Sequence, residues 1–221
     1  MPVKLSSTGG GSVTLTTPST ATDYTATFPA NTGNVVTDSA TQTLTNKTLT
    51  SPVITGASVS SMASSVITSG TSQASTSGTS IDFTGIPSWV KRITVMFNGV
   101  STNGTSNKQI QLGDSGGFET TGYLGASVQL TDAASVNAAT ITTGFGIRSP
   151  LAADTINGAV VITNLTSNTW VAQGALTDSS RGAGYLVGGA KALSDVLTQV
   201  RITTVNGTDA FDAGSINILY E

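Results

Sequence analysis

"GAVVITNLTSNTWVAQGAL", residues Gly158–Leu176, sets two short apolar runs on either side of a polar tip, Thr166-Ser167-Asn168. The first run is rich in Val and Ile, whose branched Cβ atoms favour a pleated surface over a helix. Each run is shorter than a typical globular helix, and the tip carries turn residues. The stretch therefore predicts a β-hairpin, and the rest of the C-terminal sequence fits the same reading.

Outward from the hairpin, apolar residues recur with a period of two. In "RITVMFN" Ile93, Val95 and Phe97 share one side, with Thr94 and Met96 on the other. In "YLGASVQL" Leu124, Ala126, Val128 and Leu130 alternate, and in "SINILYE" Ile216, Ile218 and Tyr220 do so. "TQVRITTV" reads as a further strand that stops at the turn dipeptide Asn206-Gly207. Only "GGAKALSDVL" (Gly188–Leu197) suggests a short helix. Strands at this spacing with little helical periodicity predict an all-β fold, a C-terminal antiparallel β-sandwich of jelly-roll type.

The chain has 221 residues, of which 10% are charged and 5% aromatic, with 25 glycines and a net charge of −3. Its nine basic residues are scattered apart from Lys91-Arg92, so no nucleic-acid-binding face is expected. No run reaches the roughly 18 apolar residues that span a bilayer, so no membrane partner is expected. The opening "MPVKLSSTGGGSV" lacks the apolar centre of a secretory signal, which predicts synthesis in a cytoplasm without export by that route. The sequence contains neither cysteine nor histidine. A disulfide framework, a thiolate nucleophile, a Cys/His zinc site and a Ser-His-Asp relay are all excluded within this chain.

Three zones follow from composition. Residues 1–60 are rich in Thr, Ser and Gly, with strand-like pieces such as Ser12–Thr16 and Asp23–Phe28. An echo, "VTLTTP" (Val13–Pro18) and "KTLTSP" (Lys47–Pro52), marks a reused module. Residues 61–79 are nearly all small and read as a Ser/Gly-rich linker. Residues 80–221 are the sandwich domain. In "TQTLTNKTLTSPVITG" (Thr41–Gly56) apolar residues are too sparse for a core of their own. Two readings stand: a disordered polar tail, or an extended stalk in which three chains intertwine and share a thin axial core. In the stalk, Leu15, Phe28, Val35, Leu44, Leu49, Val53 and Ile54 would face the axis, and the assembly would be a homotrimer.

"GDSGG" (Gly113–Gly117) matches a serine-protease phrase, yet the proton acceptor it needs is missing, so a strand-joining turn is expected. The carboxylates of the C-terminal zone form no distinctive pair for glycan hydrolysis. Asp209 and Asp212 alone fall short of a calcium loop, and a solvated turn is expected there. No catalytic residue, metal site or cofactor is assigned. The long polar loops Phe97–Gln109 and Thr177–Gly189 are the places for binding, with Asn103, Asn107, Arg181 and Tyr185 as candidate contacts. Trp170 reads as core, and Trp89 as a junction residue.

The stretch Ser12–Gly56 resembles a segment of the tail-fibre and other surface-fibre proteins of tailed bacteriophages. The marks are "TLTNKTLTSP" (Thr43–Pro52) and the preceding "FPANTGNVV" (Phe28–Val36). The C-terminal zone, from "IDFTGIPSWVKRITVMFNGVS" through "FDAGSINILYE", is similar to β-domains of phage virion proteins. The resemblance implies a non-enzymatic homotrimeric virion component assembled in the host cytoplasm. Its N-terminal region would dock to other virion proteins of the capsid or tail, and its distal domain would face a host cell-surface glycan or protein. A tail fibre and a head fibre or capsid decoration protein both fit, and the chain length suits a short fibre or a decoration trimer. A bacterial surface adhesin is the alternative from outside the virion, and the absent export signal weighs against it.

Overall fold

The computed structural model describes residues 3–6, 8–10, 12–15, 67–131 and 135–221. The chain divides into two compact units, Met1–Ser58 and Val59–Glu221. In the first unit, β1 (Val3–Ser6) and β2 (Ser12–Leu15) form an antiparallel hairpin, in register from Val3 opposite Leu15 to Ser6 opposite Ser12. The strand expected at Ser12–Thr16 is thus present, and it pairs with its own chain. Of the residues expected to face a stalk axis, Leu15 ends β2; Phe28, Val35, Leu44, Leu49, Val53 and Ile54 lie outside the described residues.

The second unit is all-β, with no helix among the described residues. Its strands are β3 (Thr68–Ser69), β4 (Gln73–Ala74), β5 (Ser80–Thr84), β6 (Arg92–Thr102), β7 (Lys108–Asp114), β8 (Gly117–Phe118) and β9 (Leu124–Leu130). They continue with β10 (Val136–Thr140), β11 (Phe145–Ile147), β12 (Ile156–Thr166), β13 (Thr169–Asp178), β14 (Ala183–Ala192), β15 (Gln199–Thr204) and β16 (Phe211–Tyr220). A nine-stranded sheet runs β10-β9-β14-β13-β12-β6-β16-β3, with β4 also on β16. A five-stranded sheet runs β11-β7-β15-β5, with β8 on β7. Every pairing is antiparallel.

The opening hairpin forms as read: β12 and β13 pair from Ile156 opposite Asp178 to Thr166 opposite Thr169, leaving Ser167-Asn168 as the turn. Inward residues from both sheets meet in one core. Val95, Phe97, Val160, Ile162, Trp170 and Ile218 come from the large sheet; Ile81, Phe83, Ile110, Leu112, Val200 and Ile202 come from the small one. Trp170 is core, as expected.

Two expectations are corrected. "GGAKALSDVL" is not a helix: β14 extends through Ala192, with Gly188 and Gly189 paired to β13 on one side and β9 on the other. Hydrogen bonds from both neighbours outweigh the local helix preference of Ala, Lys and Leu. The small-residue stretch 61–79 is also not connector throughout. Thr68–Ser69 and Gln73–Ala74 pair with β16, and buried Ser75 donates from Oγ to Ala213 O at 2.8 Å, so the sheet domain begins upstream of Ser80.

Candidate functional site

Most of the two stretches expected to be long loops is strand, 97–102 in β6, 108–109 in β7, 177–178 in β13 and 183–189 in β14, which leaves short connections at 103–107 and 179–182. Acidic groups beside both act on buried Lys108 at the start of β7. The charges acting on its ammonium are Asp154 and Asp178 beside one loop and Asp212 and Asp209 beside the other.

The first loop is laced to the segment after β15. Ser106 N donates to Asp209 Oδ2 at 2.8 Å, Asn206 N donates to Ser106 Oγ at 3.0 Å, and Ala210 N donates to Asn103 Oδ1 at 2.9 Å. Asp209 also accepts from Asn206 Nδ2 at 2.6 Å, so this carboxylate ties two loops together. Asn103 is exposed at the rim; Asn107 is half-buried, and its Oδ1 has no hydrogen-bond partner.

The second loop is built round Asp178. This carboxylate accepts from Thr155 N, Ser180 N and Ser180 Oγ at 3.1, 2.8 and 2.6 Å, and from Arg181 Nε and Tyr185 Oη at 3.2 and 3.0 Å. Burial alone would raise its pKa, but the Ser180 bonds and the others outweigh it and hold the carboxyl well below its usual value. Asp154 goes the other way: burial pushes it up, against Leu151 N and Arg181. Arg181 Nη2 lies 2.7 Å from Asp154 Oδ1. Tyr185 is fully buried, which corrects its expected role as a loop contact. Arg181 and Tyr185 are neighbours, 3.3 Å apart, but both serve the interior network rather than a free surface.

A polar groove on the small sheet was not legible in the sequence. On the outer side of the small sheet, cross-strand pairing sets Gln111 opposite Arg201 and Gln109 opposite Thr203, then Arg201 opposite Asp82 and Thr203 opposite Ser80. Of these, Ser80, Gln109, Gln111, Arg201 and Thr203, together with Thr120, Thr143 and Asn206, line a groove of about 350 Å³ that runs to the Asn206 loop. Gln109 and Gln111 form its floor, held by Thr143 Oγ1 donating to Gln109 Oε1 at 2.7 Å and Gln111 Nε2 donating to Thr143 O at 2.9 Å. Arg201 is clamped in two-pronged fashion by Asp82 at 2.8 and 2.7 Å and stacks 4.0 Å above the Phe118 ring. That clamp raises its pKa, so the guanidinium is a fixed cation. The groove is thus lined by amides, hydroxyls and a planar cation in fixed positions, with Gln109, Gln111 and Arg201 already partnered within the chain.

"GDSGG" is a turn. Asp114 ends β7 and accepts from Gly116 N, Ser194 Oγ and Asp195 N at 2.8, 2.7 and 2.9 Å, and Gly117 takes a φ of 119°. Asp212 accepts from Ser101 Oγ. Among the described residues no group of three or more acidic side chains is arranged to hold a metal ion. Trp89 is exposed and tilts against Tyr220 with ring centroids 6.0 Å apart.

Comparison with protein-family models, with curated proteins and with solved structures finds no match to this chain.

Proposed function

We propose that this chain is a non-enzymatic structural component of a bacteriophage virion, a homotrimeric surface fibre. Its N-terminal region forms the stalk and docks to the particle; its C-terminal domain, read as an antiparallel β-sandwich, is displayed for host attachment. The observation that carries the reading is the sequence order itself. The fibre-like phrases "FPANTGNVV" and "TLTNKTLTSP" stand upstream of a two-sheet domain with no helix among its described residues.

The described acidic residues of that domain support a mechanical role. Asp178 is saturated with donors, Asp114 and Asp209 tie turns and loops, and Asp82 holds Arg201. The polar groove along Gln109, Gln111, Arg201 and Thr203 then supplies the displayed binding surface. Its expected ligand is a host cell-surface glycan, and three copies raise weak single-site contacts to useful avidity.

The deciding experiment is immunogold labelling of virions with antibody to the C-terminal domain, paired with binding of the purified chain to host cells. Gold at the particle surface, with cell binding competed by purified lipopolysaccharide or capsule, is expected. Unlabelled particles sink the virion reading. Labelled heads with no cell binding replace attachment by capsid decoration.

A further inference from the structure

We propose that the outer face of the large sheet, centred on β9 and β14, packs against the same face of further copies of this chain. The inference shares with the functional reading only the expectation of a self-assembly. It goes further by naming the surface.

The alternation in "YLGASVQL" is inverted relative to a normal core strand. Polar Ser127 and Gln129 point inward, where Arg148 donates to them from N at 2.9 Å and from Nη1 at 2.8 Å. The apolar set points out: Leu124 is 76% exposed and Leu130 42%, with Leu186 of β14 at 48% and Val136 of β10 at 69%. Register joins them into one patch. Leu130 lies opposite Val136, and Val128 lies between Ala138 and Leu186. Leu186 faces Ala175, and Ala175 faces Ala159. By the alternation of burial, no ionisable residue stands on this side of β9, β14, β13 or β12; the first is Arg92 on β6.

Area, charge and edge chemistry argue for a second copy as occupant. Five strands about 4.8 Å apart and seven residues long make a flat face of roughly 500 Å². Three such faces turned to a common axis remove roughly 1,500 Å² from water in all, about 500 Å² for each pair of copies, so this face supplements a self-assembly rather than carrying it alone. A face of this size matches the largest patch on a typical monomer, which is often a functional surface. The chain carries a net charge of −3, so copies repel except through a face that is uncharged. The patch also runs to β10, which ends the sheet and carries no Lys, Glu or Pro of the kind that blunts an open edge. A face present and uncharged on every subunit meets all three conditions without a partner of matching composition.

The native chain contains no cysteine, so single-cysteine variants report cleanly. Leu186→Cys is compared with Thr208→Cys, which sits on an exposed loop away from the face. In the full-length assembly the Leu186 position is expected to react with a maleimide about tenfold or more slowly, with rates converging in denaturant. Light scattering on the same samples should give a trimer. A monomer overturns the self-assembly shared with the functional reading. A trimer whose Leu186 site labels as fast as the Thr208 site overturns this inference alone, because the face is then open to some other partner.

Discussion

Gly214 and Gly99 show how much one Cβ can decide. Both take left-handed backbone angles, with φ of 90° and 65°, where β6 and β16 slip register. A Cβ on Gly214 would sit 2.4 Å from Gly99 O and 2.6 Å from Asn98 O, distances no side chain tolerates. Gly214→Ala is therefore expected to cost about 2–4 kcal/mol, combining backbone strain with displacement of β6. By differential scanning fluorimetry that should lower the melting temperature by about 5–15 °C. An unchanged melt would mean that the strands are not in this register. The abundance of glycine was plain in the sequence, but nothing local tells which two glycines, far apart in the chain, must back onto each other.

At the scale of elements, the hairpin β12–β13 was legible because its alternation and its turn are both local. Strand β14 was not. Its Gly-Gly-Ala-Lys-Ala-Leu spelling favours a helix weakly, and only its place between β13 and β9 makes it a strand. The same limit explains the candidate site. Arg181 and Tyr185 stood out as residue types, yet burial assigns Tyr185 to the interior. Nothing in the sequence singles out Gln109, Gln111, Arg201 and Thr203 together, because the pairing of β7 with β15 is invisible in a single sequence. Likewise, alternation located β9 without saying which of its faces is inside. The hairpin turn offers its own test. Asn164 Nδ2 donates to Ser167 O at 2.8 Å and Thr169 O at 3.2 Å, while Ser167 holds a φ of 46°. In urea denaturation, Asn164→Ala should lose about 1–2 kcal/mol by stripping both bonds. Ser167→Gly should hold or gain up to about 1 kcal/mol by removing a Cβ from the left-handed region. Equal losses in both variants would show that the turn does not set the hairpin.

Across the whole molecule, acidic groups beside both connections act on buried Lys108, and this fixes how stability responds to pH. Asp178 keeps its proton off in the folded chain more readily than in the unfolded one, where its value is near 3.8. Its contribution is therefore complete above that value and is lost as pH falls below it through the lower folded value. Lys108 is wholly buried, its Nζ has no hydrogen-bond partner, and burial lowers its pKa from 10.5 against the pull of Asp154 and its acidic neighbours. The unfolded chain then binds a proton that the folded chain holds less tightly. Stability from this residue rises as pH climbs from the lowered value toward 10.5 and is absent below it. Lys108→Met keeps a similar volume without an unpaired ammonium, so it should raise the melting temperature near neutral pH and flatten the alkaline rise. Asp178→Asn should do the reverse, losing about 3 kcal/mol or more at neutral pH and with it the acid dependence. Thermal melts of the three proteins across the acid and alkaline ranges measure both slopes. If Lys108→Met melts lower than the parent at every pH, the carboxylates around Nζ hold the ammonium more strongly than burial opposes it, and the order of those two effects is reversed.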